Sequence, residues 1–402
     1  MHGDARRHAA SIIQHLKRAP LTAEFCCYGT QHSVHIGIGR QSSLALSDNT
    51  SFDALWADIN QFIESHKHDY IFGFIGFDPS NMLDKNVHNY QRKIDLFVPD
   101  TVIECDMTGC TVVRGNADIE HDCPPTDNAD AQAVDITALD HTDMRERYAG
   151  SVATFIQAIN NGVIERATLA RKIDSPIAFD LAATFISDSS RHALSRSFYF
   201  SNQQISFAGQ SPELLAEGNT ASFATHKLSG TYALVDGVDV AERVARFRAD
   251  HRIVSEHHSS IQTIRDSLAA VGSVRSREFD VMELPTLIHG WSEFITRPTS
   301  NKTVADCLRS IFPFGVNPVK PGFKLLEQHE DFCRGPYYGL TGCIRPGGEF
   351  SFTQVLRSAF ADKHGSYLMA GAAITQHSTP ELEVAETCSK LLGVEVFARA
   401  AD

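Results

Sequence analysis

Apolar and polar residues alternate over Ser33-Val34-His35-Ile36-Gly37-Ile38-Gly39, which predicts a half-buried strand. Phe52, Leu55, Ile59, Phe62 and Ile63 recur at helical spacing and predict a helix over 52–66. The apolar run Tyr70-Ile71-Phe72-Gly73-Phe74-Ile75-Gly76-Phe77 reads as a buried strand whose glycines admit another backbone. Asp143 with Glu146 three residues on reads as a capping box. The helix it opens carries Tyr148, Val152, Phe155 and Ile159 as its stripe and stops at Asn160-Asn161-Gly162. Strands follow over 167–173, 196–200 and 204–209. A single long helical stripe comes next: Val244, Phe247, Val254, Ile261, Ile264 and Leu268. The last third predicts strands over 350–360 and 367–374. A final helix runs from Pro380 to Leu392, with Thr379 as its N-cap.

This mixture is an α/β (α+β) pattern. Residues 1–114 read as an N-terminal α/β lobe and 143–402 as a second region. Between them, 115–142 is an acidic, proline-containing linker with Asp118, Glu120, Asp122, Pro124, Pro125, Asp127, Asp130 and Asp135, read as a solvated loop. The chain has 402 residues, 43% of them hydrophobic, enough for a real core. Its net charge of −13 argues against a nucleic-acid or anionic-membrane partner and leaves a small molecule. The longest apolar run is too short to span a bilayer. Nine cysteines are scattered without a CxxC pair, which points to reduced thiols in a cytoplasmic protein.

Four constellations could carry chemistry. Glu383 and Glu386 share one face near the start of the final helix, where two carboxylates can hold Mg²⁺. Glu256-His257 sits off the stripe of the long helix. Glu213, in Gln210-Ser211-Pro212-Glu213, follows a strand, and a carboxyl there can act as a general acid. Arg357 falls within the predicted strand 350–360, ahead of Met369-Ala370-Gly371-Ala372-Ala373-Ile374, and can grip a carboxylate beside small residues.

The order of these pieces resembles the chorismate-utilising enzymes: anthranilate, aminodeoxychorismate, isochorismate and salicylate synthases. The matching stretches are Ser211-Pro212-Glu213-Leu214, Leu228-Ser229-Gly230-Thr231, Glu256-His257, Leu287-Ile288-His289, Arg334-Gly335-Pro336-Tyr337-Tyr338-Gly339, Leu356-Arg357, Ala370-Gly371-Ala372-Ala373-Ile374 and Glu383-Val384-Ala385-Glu386-Thr387. They run from about Arg147 to Leu392, and salicylate synthases look most similar. The resemblance implies an anthranilate-synthase-component-I-like fold with two large, mostly antiparallel sheets packed orthogonally and helices outside. It makes 143–402 the chorismate-binding catalytic region. It implies that Glu256, Glu383 and Glu386 hold Mg²⁺ and that Glu213 is the general acid for the ring C4 hydroxyl. Arg357, Tyr337 and the backbone amides at Gly371 and Ala372 would bind the enolpyruvyl carboxylate. His289, Lys390 and Thr231 would line the site.

Departures from that pattern leave the reaction open. Arg166 stands where water-using members carry a lysine base, and an arginine stays protonated. The family's closing loop is replaced by Phe314-Gly315-Val316-Asn317-Pro318-Val319-Lys320. Three expectations follow. One is a Mg²⁺-dependent salicylate- or isochorismate-type conversion of chorismate or an isochorismate-like substrate, with pyruvate elimination as an added step. The second is an ammonia-using synthase with a separate glutaminase partner. The third is a chorismate-binding protein without turnover.

Overall fold

The stripe over 52–66 forms its helix, capped where Ser51 Oγ accepts the Ala54 N–H at 3.3 Å. The computed structural model describes residues 5–18, 24–30, 32–45, 51–78, 93–116, 131–187, 195–233, 239–283 and 287–399. The first third holds α1 (Ala5–Arg18), β1 (Phe25–Gly29), β2 (Ser33–Ile38), β3 (Ser42–Ala45), α2 (Phe52–Ser65), β4 (Ile71–Ile75), β5 (Ile94–Val98), β6 (Thr101–Asp106) and β7 (Cys110–Arg114). Next come α3 (Ile136–Leu139), α4 (Thr142–Asn160), β8 (Arg166–Ser175), α5 (Leu181–Ile186), β9 (Arg196–Ser201), β10 (Ile205–Ser211), β11 (Leu214–Gly218) and β12 (Phe223–Ala233). The remainder is α6 (Val240–Ala249), α7 (His251–Ala269), β13 (Gly272–Glu283), β14 (Leu287–Pro298), α8 (Val304–Ser310), β15 (Val316–Asn317), α9 (Val319–His329), β16 (Leu340–Arg345), β17 (Glu349–Gln354), β18 (Ser358–Asp362), β19 (Gly365–Ile374) and α10 (Pro380–Leu392).

The strands make two sheets. One runs β15-β8-β19-β18-β10-β9-β1-β2-β6-β7, the other β13-β14-β12-β11-β17-β16-β4-β5-β3. Every strand pair among the described residues is antiparallel. The mixed α/β class and the two large antiparallel sheets expected from the resemblance are therefore present. A phenylalanine-rich layer joins strands of both sheets: Phe74 of β4 stands edge-on to Phe200 and Phe207, at 5.0 and 5.5 Å between ring centres. Helices cover the outer faces, with α1, α5 and α10 on the first sheet and α2, α7 and α8 on the second.

Five expectations need correction. The stretch 350–360 is two strands in different sheets, β17 and β18, and Val355-Leu356-Arg357 carries the chain between them. The long helical stripe is two helices, because Asp250 ends α6 and its side chain accepts the Ile253 N–H at 3.2 Å to open α7. The Asp143 capping box does not form. His141 is the N-cap of α4, and Asp143 lies inside the first turn, where the helix dipole favours it. The linker is not wholly solvated: Asp135 caps α3, and buried Asp140 is ion-paired with Arg171 and Arg145. Linker residues 117–130 lie outside the described residues, as does Cys123. Finally, Cys105 and Cys110 face each other across the β6–β7 hairpin, with Cα atoms 4.1 Å apart, and are disulfide-bonded.

Candidate active site

Two links between the sheets place the site. After β10 the chain leaves the first sheet and, through Pro212 and Glu213, enters the second as β11. After β17 it returns through Val355-Leu356-Arg357 to the first sheet as β18. The links are hydrogen-bonded to each other. The Gln210 N–H donates to the Arg357 carbonyl at 3.2 Å, and the Gln354 N–H to the Glu213 carbonyl at 3.1 Å. Thr353 Oγ1 adds a bond to the same Glu213 carbonyl at 2.6 Å. Arg357 is held at φ 48°, a conformation that an L-residue keeps only where its surroundings dictate it. Glu213 and Arg357 thus sit side by side at the junction for topological reasons.

Arg357 is partly buried. Its Nη1 donates to the Lys390 carbonyl and its Nη2 lies beside His289 Nε2, each at 3.4 Å. Among the described residues no carboxylate is within salt-bridge distance of it. Burial pushes its guanidinium down to about 10, against the pull of Tyr337 and Glu386, so it is still cationic at neutral pH. His289 of β14 is buried, and its imidazole is held well below the usual range by desolvation and then by the Arg357 and Lys390 charges. Lys390 of α10 donates to the Gly371 carbonyl at 2.8 Å and pairs with Glu386 at 2.7 Å. Gly371 and Ala372 lie on β19 opposite Ala170 and Leu169 of β8. A side chain at 371 would stand 3.0 Å from the Leu169 carbonyl and 3.3 Å from Tyr337 Oη, a tight fit that glycine avoids.

Tyr337 is buried, and desolvation raises its hydroxyl well above the usual range. The loop that carries it is anchored from below. Arg334 Nε pairs with Glu330 Oε2 at 2.9 Å, Arg334 Nη2 donates to the Thr168 carbonyl at 2.6 Å, and Glu330 Oε1 accepts the Ala170 N–H at 2.9 Å. Thr231 pairs across β12–β14 with His289, and its side chain lies outside the described residues.

The acidic side of the site comes from two helices. Thr379 caps α10 and Pro380 begins it, as its sequence predicts. Glu383 is buried, and its carboxyl is pushed up to about 7 by desolvation first and by the negative charges of Glu386 and Glu256 next. Glu256 of α7 accepts the Gly230 N–H at 3.2 Å. Among the described residues no three Asp, Glu, His or Cys side chains close on one point. The donor set nonetheless suits a hard divalent cation. These are carboxylate oxygens whose mutual repulsion such an ion would relieve, and two of them are turned toward Lys390 and Gly230. His257 is packing, with its ring nitrogens at 2.9 Å from Ser229 Oγ and 2.7 Å from Ser292 Oγ.

Arg166 opens β8 and donates to Ser260 Oγ of α7 at 3.3 Å. Burial lowers its guanidinium from the usual value, against Tyr338, Glu165 and Glu256. Sequence reasoning passed over Lys227 of β12, whose Nζ lies 2.5 Å from Glu213 Oε1. A cavity of about 560 Å³ beside β8, lined by Tyr148, Arg171, Lys172, Cys333 and Tyr367, is separate and includes none of the three carboxylates. No helix among the described residues is long and apolar enough to cross a membrane.

Comparison with known proteins gives the family and the fold. A family model described as chorismate binding enzyme matches residues 22–394. The salicylate synthase of Mycolicibacterium paratuberculosis is 29% identical over 273 residues, covering 65% of this chain and 59% of that protein. The anthranilate synthase component 1 of Arthrobacter globiformis is 28% identical over 196 residues, covering 47% of this chain and 37% of that one. The chain thus spans less than two thirds of these curated relatives. Among solved structures, the menaquinone-specific isochorismate synthase from Escherichia coli superposes with a TM-score of 0.72 at 19% identity. That match covers 97% of this chain and 90% of that one, and shows a shared fold.

Proposed function

Because the chain belongs to the chorismate binding enzyme family, we propose that it converts chorismate, or an isochorismate-like relative, in a Mg²⁺-dependent reaction of the salicylate/isochorismate synthase type. One observation carries this: Arg357 is a partly buried cation with no carboxylate in salt-bridge distance among the described residues, and it feels the charge of Glu386, which in turn neighbours Glu383. An uncompensated cation inside a protein is costly, and an anionic ligand offsets that cost. A dicarboxylate such as chorismate meets both halves. One carboxylate fits Arg357, Tyr337 and the amides at Gly371 and Ala372. The other belongs on the acidic side, where Glu256, Glu383 and Glu386 would hold Mg²⁺ that neutralises it.

Within that frame Arg357 orients the enolpyruvyl end, and His289 and Lys390 fix the arginine and the β19 backbone. Glu213 faces the departing ring hydroxyl as its acid. Arg166 cannot take a proton from water and serves as a fixed positive charge. The test is mass spectrometry of products from chorismate with Mg²⁺, with and without an ammonium salt, beside a metal-free control. Salicylate or isochorismate without ammonium is expected, and none without metal. Arg357→Ala should lower kcat/KM by about 10- to 150-fold, the worth of a charge-assisted hydrogen bond. A product only with ammonium would move the assignment to amination with a glutaminase partner. Chorismate binding with no product in any arm would make this a binding protein.

A further inference from the structure

We propose that Lys227 is the proton store of this site: its ammonium, paired with Glu213, supplies the proton that the departing ring hydroxyl takes up. The proposal rests on the functional assignment above and deepens it. Lys227 lies on β12 between β11 and β14, flanked by buried Thr225, His226 and Leu228. The Lys227 side chain is 24% exposed and that of Glu213 7%, and Nζ reaches Glu213 Oε1 at 2.5 Å.

This contact bears on the acid. A general acid must carry its proton before it can give it away. At that distance Nζ donates to the carboxylate in an ion pair, which places the proton on nitrogen. Glu213 by itself therefore starts the reaction without the proton that its assigned role needs. The pair as a unit has one, and it sits on nitrogen. The surroundings hold it there. Desolvation lowers the amine, but Glu213, aided by Tyr338, outweighs it and raises Lys227 above its ordinary value, with Arg166 opposing. The groups that face Lys227 are Glu213 before β11, Tyr338 of the 334–339 loop, Arg166 of β8, His257 of α7 and His289 of β14.

The ring C4–O bond breaks with its electron pair on oxygen. That oxygen takes one proton from the pair, passed from Nζ through the Glu213 carboxylate, and leaves as water. Lys227 becomes a neutral amine beside ionised Glu213. A water oxygen bonds to ring C2, the ring π electrons shift toward C4 to replace the pair that left with oxygen, and that water releases one proton, which restores the ammonium. Arg166 takes no part in the transfer, so the pair provides the exchangeable proton that the arginine at the expected lysine position cannot.

The test has one arm that needs no turnover. In full-length protein carrying ¹³C at glutamate carboxyls, the Glu213 line is the one missing from Glu213→Gln. In the wild type at pH 7 it should show the shift of a carboxylate paired with an ammonium. In Lys227→Met its midpoint should rise, because the ammonium 2.5 Å away is gone, and Lys227→Arg should keep the pair ionic. A protonated Glu213 at pH 7 in the wild type, or an unmoved midpoint in Lys227→Met, would overturn the proposal. In the second arm, Lys227→Met and Lys227→Arg should both lower kcat by about 10²- to 10⁴-fold, the usual worth of a positioned acid, with KM little changed. Lys227→Arg at the wild-type rate would overturn it, since arginine keeps the charge and yields no proton. A wild type that converts no chorismate would overturn the functional assignment, and the transfer step with it. The carboxyl spectrum would still locate the proton of the pair.

Discussion

In His257 both ring nitrogens face serine hydroxyls and no part of the residue meets solvent. Desolvation pushes its imidazole down to about 4, so the folded chain keeps it neutral where the unfolded chain protonates it near its ordinary value of 6.5. Below pH 6.5 the unfolded state therefore binds more protons. The stability due to this burial is present above pH 6.5 and is lost as pH falls through about 4. His257→Gln should cost about 1–3 kcal/mol at neutral pH, since it leaves buried hydroxyls poorly paired. It should also flatten the acid loss, and urea melts at neutral and acid pH compare the two proteins. Equal acid slopes would refute the assignment. Residue by residue, the site was unevenly legible. The shared helix of Glu383 and Glu386 could be read because the cap at Thr379 and the proline at 380 fix its start. Lys227 could not, because its meaning lies in strand pairing: β12 meets β11, and only that neighbour brings Glu213 to it.

At the scale of elements, the links between sheets were the least legible feature and the most consequential. Alternation continues from Phe350 to Phe360 as though in one strand, since the apolar period does not record a change of sheet. Asp250 had a signal, a helix-capping residue inside a helical stripe, but apolar spacing on both sides hid it. Where the links touch, Gly209 of β10 lies hard against the returning link. A Cβ added there would stand 2.4 Å from the Arg357 carbonyl and 2.7 Å from Ser358 Cβ, both on the other link or its strand. No flexible side-chain end can yield at that carbonyl. Gly209→Ala should therefore push Arg357 away from Glu213 and cost about 1–3 kcal/mol of stability through overpacking. If the junction positions the site, chorismate affinity in calorimetry should fall along with stability. An unaltered affinity in a destabilised variant would show that the junction is structural only.

For the whole molecule, the sheets decide how it must unfold. The N-terminal strands do not form a sheet of their own. β1 pairs with β9 in register Phe25↔Ser201 through Gly29↔Ser197, and β4 pairs with β16 in register Ile71↔Ile344 through Ile75↔Leu340. One apolar cluster holds Leu55, Trp56 and Ile59 of α2 together with Leu215, Ile261, Phe294 and Leu308 from the rest of the chain. Removing the first lobe would expose a strand edge in each sheet and open that cluster, so the two regions should melt together. The chain's two tryptophans report on the two regions. Trp56 lies in α2, edge-on to Phe312 at 6.1 Å, and Trp291 lies in β14 under the Arg277 guanidinium at 5.4 Å. In Trp56→Phe only Trp291 remains to fluoresce, and in Trp291→Phe only Trp56. Each variant's fluorescence midpoint should coincide with its own far-ultraviolet circular dichroism midpoint. That comparison is unaffected by whatever stability the substitution itself removes. A Trp56 transition that precedes loss of the bulk secondary structure would mean that the N-terminal lobe opens as a unit of its own. The strand registers β1–β9 and β4–β16 would then be too weak to bind the regions into one cooperative body.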